Sequence, residues 1–164
     1  MTCGFTGPYV QDYLFLLYRD DPAYISLRQR LEKEIILLYE QGVTDFYCAM
    51  THGADRFFAE LVLDLREVYL IKLHGVVAFR DQLEFWTGWP KQYANLLPQC
   101  DSVAYLHEAY QPGCCRERNL CVVDRADILL AVCDPENMEL RSGTGTTVRY
   151  ARTKKRRIVF VLPA

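Results

Sequence analysis

The fold of this chain is decided by the stretch FYCAMTHGAD, residues 46–55, in which a short apolar run ends in a glycine turn and a helical pattern follows. A second stretch of the same kind runs from ILLAV, residues 128–132, to the turn SGTGTT, residues 142–147. In a parallel α/β sheet such turns lie at the carboxyl ends of strands, where ligands bind. Glycine lets backbone N–H groups approach a ligand closely, and a helix start carries about half a positive charge. The two turns therefore predict a site for a phosphate-bearing ligand.

Apolar runs alternate with helical patterns along the sequence, which predicts βαβ units and a mainly parallel sheet. The clearest helix has Asp21 as its N-cap and Pro22 at its first position, and it ends near Gly42. We therefore expect the α/β class: a single doubly wound domain over residues 1–164, with helices on both faces of the sheet. The predicted strands cover residues 3–6, 43–50, 70–79, 102–106, 127–133 and 158–162. The other predicted helices cover residues 54–66, 116–125 and 146–155, with one broken helix or two short ones over 81–99.

Composition and charge restrict the classes of protein to which this chain can belong. A length of 164 residues suits one domain with a single core. The formal net charge of −2 gives no overall attraction to nucleic acid or to an anionic membrane. No apolar stretch approaches the roughly 18 residues that span a bilayer, and the first residues lack the basic start and apolar core of a signal peptide. We expect a cytoplasmic protein without a membrane partner.

The cysteines and histidines do not form a recognisable metal motif. An odd count of seven cysteines, several of them inside apolar runs, favours free thiols in a reducing compartment over a disulfide framework. Cys114, Cys115 and Cys121 lie near His107 in sequence, but no C-x-x-C pair is present, so we interpret them as structural thiols rather than a zinc site. His74 alternates within a predicted strand and is interpreted as a structural histidine. We predict no metal.

Four groups of residues, spread over nearly the whole chain, match a known family in their order and spacing. They are GFTGP at 4–8; HGAD at 52–55 with Ala59-Glu60; Phe79, Gln82 and Trp86; and Arg118-Asn119 followed by VDRAD at 123–127, GT at 143–144 and TVRYA at 147–151. Together they resemble the YpsA-like proteins of the SLOG superfamily. This Rossmann-like group also contains DprA and the LOG, or lysine decarboxylase-like, enzymes.

The resemblance implies a Rossmann-like sheet with a pocket for a nucleotide or a nucleotide-derived ligand. Two departures from the family pattern concern activity. Ser142 stands where the family usually has a glycine before Gly143. LOG phosphoribohydrolases carry P-G-G-x-G-T-x-x-E, whereas here no glutamate follows Thr144 or Thr146. The resemblance therefore implies a binding pocket more directly than it implies LOG-type hydrolysis.

The candidate ligand-binding residues rest on residue type together with the resemblance. The turn at 143–146 offers backbone amides and two hydroxyl donors, although an ordinary N-capping turn has the same residues. The planar fork of arginine suits phosphate, and a surface pair with Asp124 or Glu117 is the alternative role for Arg118. The candidates are Gly4, Thr6, Gly7, Gly53, Asp55, Arg118, Asn119, Gly143, Thr144, Gly145 and Thr146.

The candidate catalytic residues are two carboxylates of one predicted helix. Asp55 lies in its first turn, where a carboxylate is favoured whatever its function, and it could accept a hydrogen bond from a ribose hydroxyl. Glu60 follows about 500° further around the helix, so it either points across the pocket or makes a structural pair. A group of aromatic residues is interpreted as packing a helix against the sheet rather than stacking on a base. These are Phe79, Phe85, Trp86, Trp89 and Tyr93.

Three functions are compatible with such a pocket. The first is a SLOG-type domain that binds a nucleotide-derived ligand as a sensor or binding module. The second is hydrolysis of an N-glycosidic or phosphate bond in a nucleotide, with Glu60 or Asp55 as general base or electrostatic stabiliser. The third is a DprA-like binder of single-stranded nucleic acid, which the acidic pI of about 5.9 and the lack of a basic, aromatic-interleaved groove disfavour. The sequence leaves the identity of the ligand, and the choice between monomer and homo-oligomer, open.

Overall fold

The computed structural model describes residues 1–82 and 96–164, and the strands in these residues form one parallel sheet. The sheet order is β4-β3-β2-β1-β5-β6, and every neighbouring pair is parallel. This confirms the predicted parallel α/β class. The strands are β1 (Thr2–Thr6), β2 (Asp45–Cys48), β3 (Lys72–Phe79), β4 (Ser102–His107), β5 (Ile128–Val132) and β6 (Arg157–Val161).

Four α-helices are present in the described part of the chain, and the first has the predicted caps. The Asp21 side chain accepts a hydrogen bond from the Ala23 backbone N–H at 2.8 Å, and Pro22 opens the helix. Gly42 follows the end of the helix with a φ of 103°, a conformation that glycine adopts readily. The helices are α1 (Pro22–Glu40), α2 (Ala54–Leu65), α3 (Cys114–Asp124) and α4 (Gly143–Thr153).

The helices cover both faces of the sheet, as the sequence pattern predicts. Side chains of α1 and α2 pack with one face of the strands in the main core, and side chains of α3 and α4 pack on the other face. Neighbouring residues of β1 divide between the two faces: Phe5 stacks on Phe58 of α2 at a ring-centroid distance of 4.2 Å, whereas Gly4 faces α3. A Cβ on Gly4 would lie 2.8 Å from Val122 Cγ1, so the glycine lets α3 pack closely against β1.

Strand β1 lies at the point where the strand order reverses. The chain builds β2, β3 and β4 to one side of β1 and then crosses back to place β5 and β6 on its other side. The register from Cys3–Ile128 to Thr6–Ala131 brings the carboxyl ends of β1 and β5 side by side. In open α/β sheets, ligands bind in the crevice outside such a reversal.

The structure corrects one boundary that matters for the site. Helix α4 begins at Gly143 rather than at Thr146, because Ser142 is its N-cap and the Ser142 Oγ accepts a hydrogen bond from the Gly145 N–H at 2.9 Å. The glycine–threonine turn is therefore the first turn of a helix. Most of the helix predicted over 81–99, with Phe85, Trp86, Trp89 and Tyr93, lies outside the described residues.

The surroundings of His74 agree with its interpretation as a structural histidine. His74 Nε2 lies 2.7 Å from Asp45 Oδ1, and His74 Nδ1 lies 2.6 Å from Ser102 Oγ, so this imidazole joins three neighbouring strands. All seven cysteines are free thiols. Within residues 1–82 and 96–164, no three His, Cys, Asp or Glu side chains come together in a way that could hold a metal ion. Nor does any helix there have the length and apolarity needed to cross a bilayer.

Candidate functional site

A cavity of about 590 Å³ opens at the carboxyl ends of β1 and β5. Cavities of this size are typical of small-molecule sites. Segments that are distant in sequence form its walls: the end of β1 with the loop after it, the start of α2, the middle of α3, and the connection from β5 to α4. The predicted site residues that line it are Thr6, Gly7, Asp55, Arg118, Asn119, Gly143 and Thr144.

The first turn of α4 presents two backbone amides to this cavity. No acceptor among the described residues is bonded to the N–H groups of Gly143 and Thr144. The next two amides are occupied, because Gly145 donates to Ser142 Oγ and Thr146 donates to the Ser142 carbonyl, both at 2.9 Å. Two amides, rather than the four suggested by the sequence, are available to a ligand at this helix start.

Arg118 is the buried cation of the cavity, with 2% of its surface exposed. Its Nη1 donates to Gln82 Oε1 at 2.8 Å, and its Nε and Nη2 donate to Asn119 Oδ1 at 3.2 and 3.1 Å. No carboxylate of the described residues lies within 4.0 Å of this guanidinium. Neutral amide oxygens therefore hold the arginine in place without a direct ion pair.

The alternative role of Arg118 as a surface residue is wrong. Glu117 lies 2.8 Å from His107 Nε2, and Asp124 accepts a hydrogen bond from the Tyr150 hydroxyl at 2.8 Å. Neither carboxylate pairs with Arg118, because α3 turns that side chain inward, against the sheet.

Gln82 fixes the position of Arg118. It is not among the predicted site residues, although it belongs to the group Phe79, Gln82 and Trp86 that contributes to the family resemblance. Its Oε1 accepts from the Ala78 N–H at 2.8 Å as well as from Arg118. Its Nε2 donates to the carbonyls of Ala49 and Met50 at 3.2 and 3.4 Å. The side chain is 1% exposed. Gln82 thus connects the arginine to the backbone at the carboxyl ends of both β2 and β3.

Asp55 is a buried carboxylate on the same side of the cavity, with 5% of its surface exposed. Its Oδ2 accepts hydrogen bonds from both the backbone N–H, at 3.2 Å, and the hydroxyl of Thr51. Burial raises the pKa of this carboxyl, while the Thr51 hydrogen bonds and the charge of Arg118 oppose that shift. Asp55 therefore orders the loop before α2 and also presents a carboxyl to the cavity.

Tyr9 lines the cavity close to the start of α4, and sequence reasoning missed it. Its hydroxyl oxygen lies 3.6 Å from the position that a Cβ on Gly143 would take. Burial raises the pKa of the Tyr9 phenol, and the charge of Arg118 opposes the shift. The signal that could have found Tyr9 is its place directly after the Gly7-Pro8 turn at the end of β1. Other lining residues without a sequence prediction are Asp12, Tyr13, Thr51, Asp134, Asn137 and Glu139.

Four predicted ligand-binding residues do not line the cavity but shape its walls. Gly4 allows α3 to approach β1. Gly53 has a φ of 106°, and a Cβ there would lie 2.5 Å from the Val10 nitrogen, so this glycine lets the loop after β1 lie against the start of α2. Gly145 faces the Glu139 carbonyl too closely for any side chain. Thr146 is the fourth residue of α4, and its amide already donates a hydrogen bond to the Ser142 carbonyl.

The structure does not bring the catalytic candidate Glu60 to the cavity. Its Oε1 accepts from Arg56 Nε at 2.9 Å, and its Oε2 lies 3.4 Å from Arg19 Nη2. Five residues of helix turn the Glu60 side chain away from the face that carries Asp55, and its role is the structural pair that the sequence left open.

With the geometry in place, comparisons with known proteins show the family. The YpsA family model, described as the YspA SLOG family, matches residues 5–163. The chain belongs to this family. A UPF0398 protein of Bacillus pumilus is 32% identical over 128 residues, which are 76% of this chain and 69% of the relative. The UPF0398 protein YpsA of Bacillus subtilis is 28% identical over 127 residues, or 75% of this chain and 71% of the relative.

Solved structures with the same fold include two DNA processing proteins A. The protein from Streptococcus pneumoniae aligns with a TM-score of 0.62 at 15% identity over 97% of this chain. The single-stranded DNA-binding protein from Helicobacter pylori aligns with a TM-score of 0.65 at 14% identity over 98%. The chain spans 49% and 64% of those two proteins. At these identities the likeness shows the fold alone, which is Rossmann-like.

Proposed function

We propose that this YpsA-family protein binds a nucleotide-derived small molecule in the cavity, with an anionic group of the ligand against Arg118 and the first turn of α4. The observation that carries the proposal is the buried guanidinium held by neutral oxygens alone. A buried charge without a directly paired carboxylate is costly, and the geometry that maintains it is explained if a ligand supplies an anionic group in contact with it.

The start of α4 supports a phosphate as that anionic group. The free amides of Gly143 and Thr144 lie on the same cavity as Arg118, and the helix dipole adds positive potential at this point. A Cβ on Gly143 would lie 3.7 Å from Asn119 Nδ2, and Asn119 is hydrogen-bonded to Arg118. The start of α4 and these two side chains therefore lie next to the same space. Asp134 and Asn137 also line the cavity, and their oxygen acceptors suit the hydroxyls of a ribose.

Hydrolysis is a second candidate function because a titratable carboxyl lies inside the cavity. Asp55 has a pKa raised by burial, a property that suits a general acid or base. Both donors of Thr51 are nevertheless directed at its Oδ2, and such hydrogen bonds weaken a base. We therefore place binding first and hydrolysis second. The single-stranded DNA bound by the DprA neighbour from Helicobacter pylori suggests single-stranded nucleic acid as a third class of ligand.

The test is to release small molecules from purified protein by denaturation and to identify them by mass spectrometry. Calorimetric titration with the released compound then compares Arg118→Ala with the matched control Arg116→Ala, an exposed arginine two residues earlier on the same helix and outside the cavity. We expect the dissociation constant to rise by about 10- to 100-fold in Arg118→Ala, the loss of a charge-assisted hydrogen bond, and to stay unchanged in Arg116→Ala.

Two results decide against the proposal. One is the absence of both a co-purifying nucleotide-derived compound and measurable binding of nucleosides or nucleotides by the folded protein. The other is equal binding by Arg118→Ala and the parent protein. Turnover of the bound compound that disappears in Asp55→Asn, with binding retained, would establish the hydrolase in place of the binding module. Circular dichroism of Arg118→Ala and of the charge-retaining Arg118→Lys separates loss of the site from loss of the fold.

A further inference from the structure

We infer that the outer edge of strand β6 (Arg157–Val161) docks an acidic, extended peptide segment of another protein, which adds to the sheet as a further strand. No residue of β6 lines the cavity, so the inference is independent of the proposed ligand. It follows from three properties of this β6 edge: open backbone groups, half-buried apolar side chains, and surrounding cations without carboxylate partners.

The backbone of the β6 edge is open to a further strand. Among the strands that the structure describes, β6 pairs with β5 alone. The Cys133 N–H donates to the Val161 carbonyl at 3.0 Å, so Val161 and every second residue before it direct their backbone groups toward β5. The residues between them, Ile158 and Phe160, direct theirs away from the sheet. An added strand bonds to such a row of donors and acceptors.

The side chains of β6 offer an added strand apolar contacts on both faces of the sheet. Ile158 and Phe160 pack in the cluster formed with α4 on one face, and Val159 packs against the main core on the other. All three are only half-buried. A neighbouring strand with β-branched side chains would extend the burial on each face.

The sequence that leads into β6 is strongly basic, although the net charge of the chain is −2. No Asp or Glu follows Glu139, whereas residues 149–157 contain six Lys or Arg residues. None of these six lies within 4.0 Å of a carboxylate of the described residues. Their charges are therefore available to an acidic partner.

Cations lie on both faces of β6 and at both of its ends. Arg152 belongs to the last turn of α4, and its Cζ lies 5.9 Å from the centroid of the Phe160 ring. Arg157 begins the strand. On the other face, Arg30 of α1 donates to the Leu162 carbonyl, just past the end of the strand. The dipole of α4 accounts for a cation in its last turn but not for one at the far end of β6.

These properties together favour an acidic peptide over other partners. A second copy of β6 would place one cationic edge against another, and like charges on paired strands are destabilising. A polynucleotide would neutralise the cations but has no peptide N–H and C=O groups with which to extend the sheet. A peptide with β-branched residues in its centre and carboxylates at both ends matches the open edge, the apolar side chains and the cations at once.

The experiment titrates the folded protein with fluorescein-labelled peptides and follows fluorescence anisotropy. The probe is EDEVTVTVEDE, and the control EDEVPPTVEDE has the same charge but two central prolines that remove N–H donors from both edges of a strand. We expect the probe to bind at least about 10-fold more tightly than the proline control. A twelve-residue oligothymidylate, which tests nucleic acid as the partner, should bind more weakly than the probe.

Hydrogen exchange locates the bound peptide. Saturation with the probe should slow exchange at the amides of Ile158 and Phe160 by at least about 10-fold, because these two N–H groups point outward in the parent protein. The proline control at the same concentration should leave both rates unchanged.

A charge variant tests the cations of the β6 edge. Arg152→Gln/Arg157→Gln should weaken the probe by about threefold or more, as expected for the loss of two exposed ion pairs. The matched control Lys72→Gln/Arg116→Gln also removes two exposed cations, but these belong to β3 and α3. It should leave the affinity unchanged, and thermal unfolding shows that both variants are folded.

Equal affinity for the proline control, unchanged exchange at Ile158 and Phe160, or equal weakening by the two charge variants would overturn the inference, because binding would then be non-specific attraction of charge. Tighter binding of the oligothymidylate than of the probe would overturn it in favour of nucleic acid. No binding of the probe at about 1 mM would also overturn it, and the cations would then only protect an open strand from aggregation.

Discussion

Asn119→Asp should make this protein more stable while it weakens the binding of the anionic, nucleotide-derived ligand that we propose. In the parent protein, one amide oxygen of Asn119 accepts from Nε and Nη2 of Arg118 at 3.2 and 3.1 Å. Aspartate has the same shape and retains an acceptor in that position, but it adds a full negative charge. The substitution therefore supplies from within the chain the counter-charge that we assign to the ligand.

The magnitudes follow from this geometry. Opposite charges about 4 Å apart attract by about 4 kcal/mol at an effective dielectric constant of about 20, and desolvation of the half-buried carboxylate offsets most of this gain. We expect a net stabilisation of about 1 kcal/mol, which raises Tm by about 2–4 °C in a chain of this size. In this variant the guanidinium is already paired, so the ligand anion should lose about 1.5–3 kcal/mol of binding free energy. Its Kd should therefore increase roughly 10- to 150-fold.

The assay combines thermal unfolding with calorimetric titration of the compound released from the purified parent protein. Gln11→Glu is the control, since it makes the same change of net charge at an exposed residue near the cavity mouth but outside its wall. It should alter neither Tm nor Kd appreciably. A lower Tm for Asn119→Asp, or a Kd equal to that of the parent protein, would refute the reasoning, because the charge of Arg118 would then not be what the ligand recognises.

Three further predictions test other parts of the site and fold. Gly143→Ala places a methyl group 3.6 Å from the Tyr9 hydroxyl, an ordinary contact, so Tm should be retained while titration shows binding at least 10-fold weaker; unchanged binding would move the phosphate away from α4. Glu60→Gln breaks surface pairs outside the cavity and should change stability by no more than about 1 kcal/mol, with ligand binding and any turnover intact; loss of either would return Glu60 to the site. The backbone and hydroxyl donors of Thr2 hold the pKa of Asp127 below its ordinary value of 3.8. Its contribution to stability is therefore present above that pH and is lost as pH falls through the lowered pKa. The Tm difference between the parent protein and Asp127→Asn should be positive at about pH 7 and should shrink as pH falls below 3.8. A difference independent of pH would contradict that assignment.

The fold could be predicted from the sequence because its signals are local. An N-cap aspartate before Pro22, an apolar stripe at helical spacing, and a glycine after the last turn define α1 without reference to the rest of the chain. The apolar run of β5 marks a strand buried on both faces. Since parallel strands share one carboxyl edge, the loops that follow them must meet, which is why Thr6, Asp55 and Gly143 face one cavity.

The role of each glycine could not be predicted, because glycine is required both where a ligand comes close to the backbone and where another segment of the chain does. At Gly143 a Cβ would meet only ordinary contacts and would project into the cavity, whereas at Gly4 it would collide with α3. Gly53 combines a positive φ with a backbone neighbour at 2.5 Å. Whether the nearby group is a ligand, a helix or a loop depends on distances between segments that are far apart in sequence.

The buried polar cluster was missed for the same reason. Gln82 and Arg118 are 36 residues apart, and their 2.8 Å hydrogen bond forms only after α3 has packed on the sheet. A surface ion pair with Glu117 or Asp124 is the alternative role for Arg118, and nothing in the neighbouring sequence excludes it. The direction of an arginine side chain is decided by helix orientation, and that orientation is a property of the assembled core.

The arrangement around Arg118 also links the stability of this YpsA-family protein to its ligand. A guanidinium that is 2% exposed and bonded to two neutral amides lowers the stability of the empty protein, and an anion that binds there should restore it. At a free concentration of 100 Kd, a ligand that binds the folded state alone stabilises it by about 2.7 kcal/mol, which corresponds to about 5–11 °C in Tm for this length. In Asn119→Asp the same ligand concentration should produce a much smaller shift, because the internal carboxylate already occupies the guanidinium. The charge of Arg118 can therefore be paired by an aspartate at residue 119, which stabilises the protein without ligand, or by a ligand anion, which increases affinity. Asparagine at residue 119 leaves the charge to the ligand.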